Sequence, residues 1–224
     1  MLCSVPRRGM RCRVSVIAAA AGMAVLAACS GSGDTNGQSV SASAAGSTSA
    51  AEVEETGIEV ARADLTAPDG TAVGTVSFRT PPDDAKTLVV RVSAEGLSPG
   101  FKGFHVHSIG KCEPNSPDPA NPGNVGDFLS AGGHLKTDGE NHAGHDGDLT
   151  SLQVRSDGSA ELVTSTDALP LDALLDEDGS AVIVHLGPDN FGNIPTRYVP
   201  TPDAATLNTG DSGGRAVCGV IEAG

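Results

Sequence analysis

The sequence contains no tryptophan, and aromatic residues make up only 3% of its 224 residues. A buried core must therefore consist mostly of valine, leucine, isoleucine and alanine. Basic residues are also scarce, because 14 Lys and Arg stand against 28 Asp and Glu and give a formal net charge of −14. Phosphate binding needs a cationic surface, so this balance argues against nucleic acid as a partner. A small anionic substrate is not excluded, since the local potential of a cleft can oppose the overall charge.

The apolar stretch VSVIAAAAGMAVLAA, at residues 14–28, is too short to span a bilayer well. It follows an N-terminal region that carries Arg7, Arg8, Arg11 and Arg13 and no acidic residue. This pattern is typical of a secretory signal peptide and predicts one over residues 1–28. Removal of these four arginines makes the mature chain four charges more negative, at −18.

The signal region ends in Leu26-Ala27-Ala28-Cys29, which resembles a bacterial lipoprotein box. We therefore expect Cys29 to be the lipid-modified first residue of an exported protein, anchored in the cell envelope to the outer face of the cytoplasmic membrane. The alternative is an ordinary signal peptide that is cleaved nearby, with Cys29 incidental. Residues 29–54 are rich in Ser, Gly and Ala and predict a disordered tether. Residues 55–224 have the length of one domain with a single core.

The five cysteines constrain the mature protein. Cys3 and Cys12 belong to the predicted signal peptide, and Cys29 is assigned to the lipid. Cys112 and Cys218 remain. In an exported protein a single remaining pair usually forms a disulfide.

The periodicity of the folded part is that of β-strands. Residues 88–93 place Leu88, Val90 and Val92 on one face of a strand, and residues 181–186 form an apolar run typical of a buried strand. Asp157-Gly158 predicts a hairpin turn, and one short helix is plausible over residues 167–176. The pattern predicts an antiparallel sandwich or barrel with two long irregular stretches, 108–148 and 187–215. Loops of that length need a metal, a disulfide or a function to order them.

All six histidines of the chain can be placed on one metal centre. His105 and His107 are two apart on a predicted strand and share a face, and His185 ends another strand. The run His134, His142, His145 and Asp148 offers three imidazoles and one carboxylate, which satisfy tetrahedral zinc. A zinc hydrolase is a weaker interpretation, because no HExxH motif accompanies the histidines.

Six segments together resemble the bacterial copper/zinc superoxide dismutases of the exported lipoprotein type: GFHVH, HSIGKC, SAGGH, HDGDL, VHLGPDN and GGRAVCGVI. The resemblance extends over roughly residues 60–222. It implies an all-β fold, an eight-stranded Greek-key β-barrel related to the immunoglobulin-like sandwich. The two long loops would then form the metal site and its channel.

The resemblance also implies roles for individual residues. The copper ligands would be His105, His107, His134 and His185, and the zinc ligands His134, His142, His145 and Asp148. His134 would then bridge the two metals and return a proton to the departing peroxide. Asp189 resembles the carboxylate that hydrogen-bonds ligands of both metals, Arg215 the arginine that attracts the substrate, and Thr209 the other wall of the channel. Cys112 and Cys218 match the family disulfide.

The implied activity is disproportionation of superoxide to dioxygen and hydrogen peroxide, by a copper that cycles between Cu(II) and Cu(I). The alternative is a non-catalytic lipoprotein of the same fold that buffers or delivers copper. A copper-only enzyme is a further variant, because only two residues separate His142 from His145 and the family interval is usually longer. His142 would then face solvent. A homodimer is compatible with the resemblance.

Several residues also have structural interpretations without a role in the site. Arg215 could be a surface arginine, and Asp189 could simply start a loop turn. The solvated surface is the expected place of Lys102, Lys111, Lys136 and Arg197. The segment EPNSPDPANPGNVGD, residues 113–127, is expected to be a spacer loop without chemistry.

Overall fold

A computed structural model describes residues 57–137 and 141–224. The predicted signal peptide (1–28) and tether (29–54) lie outside the described residues. The strands are β1 (Ile58–Thr66), β2 (Ala72–Thr80), β3 (Leu88–Ala94), β4 (Gly100–Lys102), β5 (Phe104–His107), β6 (Ser116–Pro117), β7 (Val125–Gly126), β8 (Leu152–Val154), β9 (Ala160–Thr166), β10 (Ala181–His185), β11 (Arg215–Val220) and β12 (Glu222–Ala223). The helices are α1 (Leu171–Leu174) and α2 (Ala204–Thr209), and a 3₁₀ turn covers Leu129–Ala131. Among these residues no helix has the length and apolar character needed to cross a membrane.

One antiparallel sheet runs in the order β4-β8-β9-β3-β2-β1-β11-β10-β5, with β12 also paired to β1. Its two end strands, β4 and β5, are consecutive in the chain and separated only by Gly103. The sheet therefore curls into a nearly closed barrel, which confirms the predicted all-β fold. The eight predicted strands are recovered when β4 and β5 count as one bent strand and β11 and β12 as another.

The barrel interior holds the alternating apolar residues of the strands. In β3, Leu88, Val90 and Val92 are buried, whereas Arg91 and Ser93 are exposed. Phe78 and Phe104 are the aromatic side chains of this core, and the rest is aliphatic, as the composition predicts. A second, smaller apolar cluster contains Phe128, Ala131, Ala181, Ile183 and Cys218.

The local predictions also hold. Gly158 has a φ of +87° in the turn between β8 and β9, a conformation that glycine adopts without strain. Helix α1 lies inside the predicted helical segment 167–176 but is shorter. It begins directly after Pro170, and a turn closed by the Gly179 N–H to Asp176 O bond follows it.

Cys112 and Cys218 form the disulfide, with their Cα atoms 5.6 Å apart and a sequence separation of 106. The bond ties the long loop after β5 to strand β11. Cys218 is completely buried beside Phe128 and Ala131, so the bond also anchors the smaller apolar cluster.

Replacing both cysteines, as Cys112→Ala with Cys218→Ala, should lower the free energy of unfolding by about 4 kcal/mol, because a closed loop of this size strongly restricts the unfolded chain. Urea unfolding at neutral pH would measure the loss. The oxidised wild type should lose the same amount when a reductant is added, and the double variant should not respond to it. Equal stability of variant and wild type would contradict the prediction.

Candidate metal centre

Strand β5 and the loop after it bring the first ligands together. Successive side chains of a strand point to opposite faces, so His105 and His107 point out of the barrel while Val106 packs in the core. The N–H of Val106 donates to Gly147 O at 2.9 Å, and the N–H of Leu135 donates to Val106 O at 2.8 Å. This pairing sets His134 opposite His107 and Asp148 opposite His105. A Cβ at position 147 would collide with Val106 O, so the close approach requires glycine there.

Strand β10 brings the next ligand from the other side of β5. It pairs Ile183 with His105 and ends at His185, whose N–H donates to Gly103 O at 2.8 Å. The Nε2 atoms of His185 and His107 lie 3.4 Å apart. The ligand atoms of four buried histidines all lie within 4.8 Å of one another, and we call this place the four-histidine position: His105, His107, His134 and His185.

A second group of donors lies beside it around one carboxylate. Asp148 Oδ1 is 2.8 Å from His134 Nδ1 and 2.9 Å from His142 Nδ1. His145 Nδ1 is 3.2 Å from Asp148 Oδ2 and 3.4 Å from His134 Nδ1. We call this the carboxylate position: His134, His142, His145 and Asp148. His105, His134, His142 and Asp148 also meet the 4.8 Å limit, so His105 lies near both positions.

The hydrogen bond that one ring nitrogen of a histidine makes fixes the tautomer, and the tautomer determines which nitrogen can bind a metal ion. His107 Nδ1 lies 2.9 Å from Gly132 O, and His185 Nδ1 lies 3.1 Å from Gly213 O. A carbonyl oxygen accepts only, so both Nδ1 atoms carry the proton and donate. The Nε2 atoms of His107 and His185 therefore keep their lone pairs for the four-histidine position.

Asp189 connects the two positions. Its Oδ2 accepts from His105 Nε2 at 2.8 Å and its Oδ1 accepts from His142 Nε2 at 2.8 Å, and its side chain is 1% exposed. The N–H of Phe191 also donates to Oδ1 at 2.7 Å, so Asp189 starts a loop turn as well. Gly210, at the end of α2, packs so closely that a Cβ would collide with both Asp189 and His142. Because Asp189 accepts from Nε2 of both His105 and His142, their Nδ1 atoms are the ones directed to the metal positions.

The donors fit two metal ions that share His134. Within the described residues, three buried ring nitrogens have no polar partner: His105 Nδ1, His134 Nε2 and His145 Nε2. A further one, His142 Nδ1, contacts only Asp148 Oδ1, at 2.9 Å. Such atoms are costly to bury unless something binds them. An ion at the four-histidine position would bind the first two, and an ion at the carboxylate position would bind His142 Nδ1. His145 Nε2 would still be without a partner, because that ring faces the carboxylate position with Nδ1. Imidazole and carboxylate donors suit copper and zinc.

The two positions differ in their protonation. Burial lowers the pKa of His107, of His134 to about 4 and of His185 to about 3, so these rings are uncharged at neutral pH. Burial also disfavours the charged form of His142, but contacts with Asp148 and Asp189 outweigh it and raise the pKa of His142 to about 9. In the metal-free protein a proton therefore occupies the carboxylate position at neutral pH.

Zinc uptake should depend steeply on pH as a result. Below pH 9 a zinc ion must displace the proton of His142, so the zinc affinity of the metal-free protein should rise about tenfold per pH unit between pH 6 and 8. Chelator competition at pH 6, 7 and 8 would measure it. His142→Gln should flatten this dependence while binding zinc more weakly. A wild-type zinc affinity that is constant over this range would contradict the protonation of His142.

The four-histidine position opens into a cavity of about 440 Å³, whose wall includes His107, His134, His185, Thr209 and Arg215. The Arg215 guanidinium donates to the carbonyl oxygens of Phe128 and Gly132. Burial lowers the pKa of Arg215 to about 10, so it is charged at neutral pH. The hydroxyl of Thr209 donates to Ala205 O at 2.8 Å within α2. Arg215 therefore presents a fixed positive charge beside the four histidines.

Some sequence-based expectations need correction. Lys102 does not lie on the solvated surface: it is 7% exposed, and its Nζ donates to Ser98 Oγ and Leu186 O at 2.9 and 2.7 Å. His142 does not face solvent, since it is 5% exposed. The spacer segment 113–127 also reaches the site, because Asp118 and Asn124 line the cavity. No sequence signal marked these two residues, since the path of an irregular loop leaves no periodic pattern.

Comparisons with known proteins agree with the geometry. The family described as copper/zinc superoxide dismutase (SODC) matches residues 72–221. The protein of Mycobacterium tuberculosis (strain ATCC 25618 / H37Rv) named superoxide dismutase (Cu-Zn) is 44% identical, over 94% of this chain and 93% of its own length. The protein of that name from Escherichia coli (strain K12) is 34% identical, over 68% of this chain and 80% of its own. The crystal structure of a SOD-like protein from Bacillus subtilis aligns with a TM-score of 0.51 and 29% identity, over 70% of this chain and 95% of that one.

Proposed function

This chain belongs to the copper/zinc superoxide dismutase family, and we propose that its four-histidine position holds copper and its carboxylate position holds zinc. Its activity is the disproportionation of superoxide. Two superoxide anions and two protons give one dioxygen and one hydrogen peroxide, so one anion is oxidised and the other is reduced. The observation that carries the residue assignment is His134, whose Nδ1 contacts Asp148 while its buried Nε2 has no partner among the described residues.

Copper bound by these imidazoles supplies the one-electron redox chemistry, and zinc, which has none, supplies a fixed charge beside it. The remaining work falls to residues of the chain. Arg215 binds and orients the anion, because a guanidinium held by two carbonyl oxygens presents its other N–H groups to the cavity. Its half-buried position strengthens this attraction, since solvent screens it less.

His134 moves the proton that peroxide needs. Asp148 and the backbone pairing of Leu135 with Val106 fix the ring, so Nε2 points to the four-histidine position in every turnover. Nε2 has a single lone pair, so it would hold either copper or a proton, and a proton held there can pass to the departing peroxide without any movement of the backbone.

The alternative, a copper-buffering or copper-delivery lipoprotein, needs the histidines but not a charged arginine in an open cavity. Arg215 and Thr209 in the wall of the cavity therefore favour the enzyme. The copper-only variant is disfavoured by the three Nδ1 atoms that converge on Asp148 in spite of the short interval between His142 and His145. Superoxide loss measured with bound copper, and again after its removal, separates enzyme from buffer. Equal rates in both samples would end the enzyme assignment.

Arg215→Gln should lower kcat/KM for superoxide by roughly tenfold to a hundredfold, because the charge that attracts and orients the anion is lost. Arg215→Lys should retain part of the rate, since it keeps the charge but not the planar fork. Pulse radiolysis would give the rates. Copper content and melting temperature should stay near the wild-type values, which shows that a loss of rate is not a loss of structure. A wild-type rate in Arg215→Gln would contradict the role of this residue in attracting the anion.

Export and anchoring are part of the same proposal. Residues 1–28 act as the signal peptide, Cys29 carries the lipid, residues 29–54 form the tether and residues 55–224 the enzyme domain. The supporting evidence is the sequence pattern alone: the arginines, the short apolar run and the Leu-Ala-Ala-Cys sequence. The cell envelope is then the place where the enzyme meets superoxide. A homodimer is proposed only by resemblance to the family.

Cys29→Ser should release the protein from the membrane fraction without changing the activity of the domain, because it removes the lipid and leaves residues 55–224 intact. Fractionation of expressing cells, with incorporation of a labelled fatty acid, would measure the change. The wild type should carry the label and sediment with membranes. A wild-type protein without label would point to ordinary signal cleavage with Cys29 incidental.

A further inference from the structure

The side chains that line the anion cavity carry more negative than positive charge. Three charged side chains other than the histidines line it, Arg215, Asp118 and Asp211, so the side chains of the described residues contribute one negative unit, against which the proposed metal ions would add positive charge. The chain as a whole carries −14. Two carboxylates therefore line the same cavity as the arginine that attracts the anion, although each of them repels an anion.

Asp118 is the carboxylate whose charge acts on Arg215. Among the described residues no acidic oxygen lies within 4 Å of the Arg215 guanidinium, which bonds only to carbonyl oxygens. Burial lowers the pKa of Arg215, and the negative charge of Asp118 partly opposes that effect. Asp118 lines the same cavity as Arg215 and acts on it through space, without closing an ion pair with it.

The position of Asp118 is fixed. It follows β6 directly, and its N–H donates to Asn124 O at 2.9 Å while its C=O accepts from the N–H of Asn121 at 3.1 Å. Its Oδ1 also accepts from the N–H of Ala120 at 2.9 Å. The strands β6 and β7 close this small hairpin at its base. Asp118 is therefore a fixed negative charge rather than a mobile surface side chain.

We propose that Asp118 is a specificity-determining residue of the channel, which favours monovalent anions such as superoxide over divalent oxyanions such as sulfate. The proposal rests on the proposed role of Arg215 as the anion-binding group. Arg215 alone would attract a dianion about twice as strongly, in free energy, as a monoanion. The repulsion by Asp118 doubles in the same way, so it reduces the advantage that the dianion would have.

The test compares two anions of different charge on the copper-loaded protein. Azide, a monoanion, is titrated by the change in the visible copper spectrum, and sulfate, a dianion, by its displacement of azide at constant ionic strength. Asp118→Asn should tighten azide binding about threefold and sulfate binding about ninefold, because the fold-change for a dianion is the square of that for a monoanion. The asparagine keeps the Oδ1 that accepts from Ala120.

Asp157→Asn is the matched control. Asp157 likewise accepts from the N–H two residues on, Ser159, at 3.0 Å, but it lies in the exposed β8–β9 turn outside the cavity wall. It removes the same unit of charge from the protein, so it should leave both affinities unchanged. Asp118→Glu keeps the charge and should keep the wild-type ratio of the two affinities.

The outcomes separate this proposal from the one on which it rests. If Arg215→Gln abolishes the binding of both anions but Asp118→Asn changes them equally or not at all, Asp118 has no role in selection. If Asp157→Asn produces the same changes as Asp118→Asn, the effect is one of net charge and the proposal is also overturned. If Arg215→Gln leaves both anions bound as in the wild type, the docking role of Arg215 fails instead. A selective gain for sulfate in Asp118→Asn alone supports the proposal.

Discussion

The N–H and C=O of Val106 bond to Gly147 and Leu135, and the placement of both metal positions depends on that pairing. It joins the one strand that carries two histidines to the loop that carries three more and Asp148. The same strand pairs with β10 on its other side, which adds His185. Six imidazoles therefore meet on the outer face of the barrel, because one short strand has a partner on each edge. The disulfide ties the start of the same loop to β11, from which Arg215 extends.

The hydrogen-bond acceptors of the histidines differ between the two metal positions, and this difference sets the protonation of the rings. Backbone carbonyl oxygens accept from His107 and His185, and these rings are uncharged at neutral pH. Two carboxylates face His142 and favour its protonated form. The two metal positions share His134, but in the metal-free protein the histidines His107 and His185 of one are uncharged and His142 of the other is protonated. The uncharged imidazoles of the four-histidine position suit a redox-active ion, and the carboxylate position suits an ion of constant charge.

Much of this architecture could be predicted from the sequence. Apolar alternation predicts β3, and a continuous apolar run predicts β10. The two-residue spacing places His105 and His107 on one face, and the number of cysteines left after export predicts the disulfide. The family resemblance supplied the roles of Asp189 and Arg215, which spacing alone could not. Two features that depend on tertiary structure could not be predicted from the sequence. They are the burial of Lys102 against two acceptors from separate segments and the position of Asp118 and Asn124 in the cavity wall. Loop residues of this kind follow no period, so only the folded chain shows what they face.

The central claim is that one imidazole, that of His134, joins two different metal ions. Anomalous diffraction from crystals of the protein loaded with both metals, recorded at the copper and zinc absorption edges, tests it most directly. The account predicts a copper peak next to His134 Nε2 and a separate zinc peak next to His134 Nδ1, at comparable occupancy. Copper alone, with no zinc signal among His142, His145 and Asp148, would contradict it.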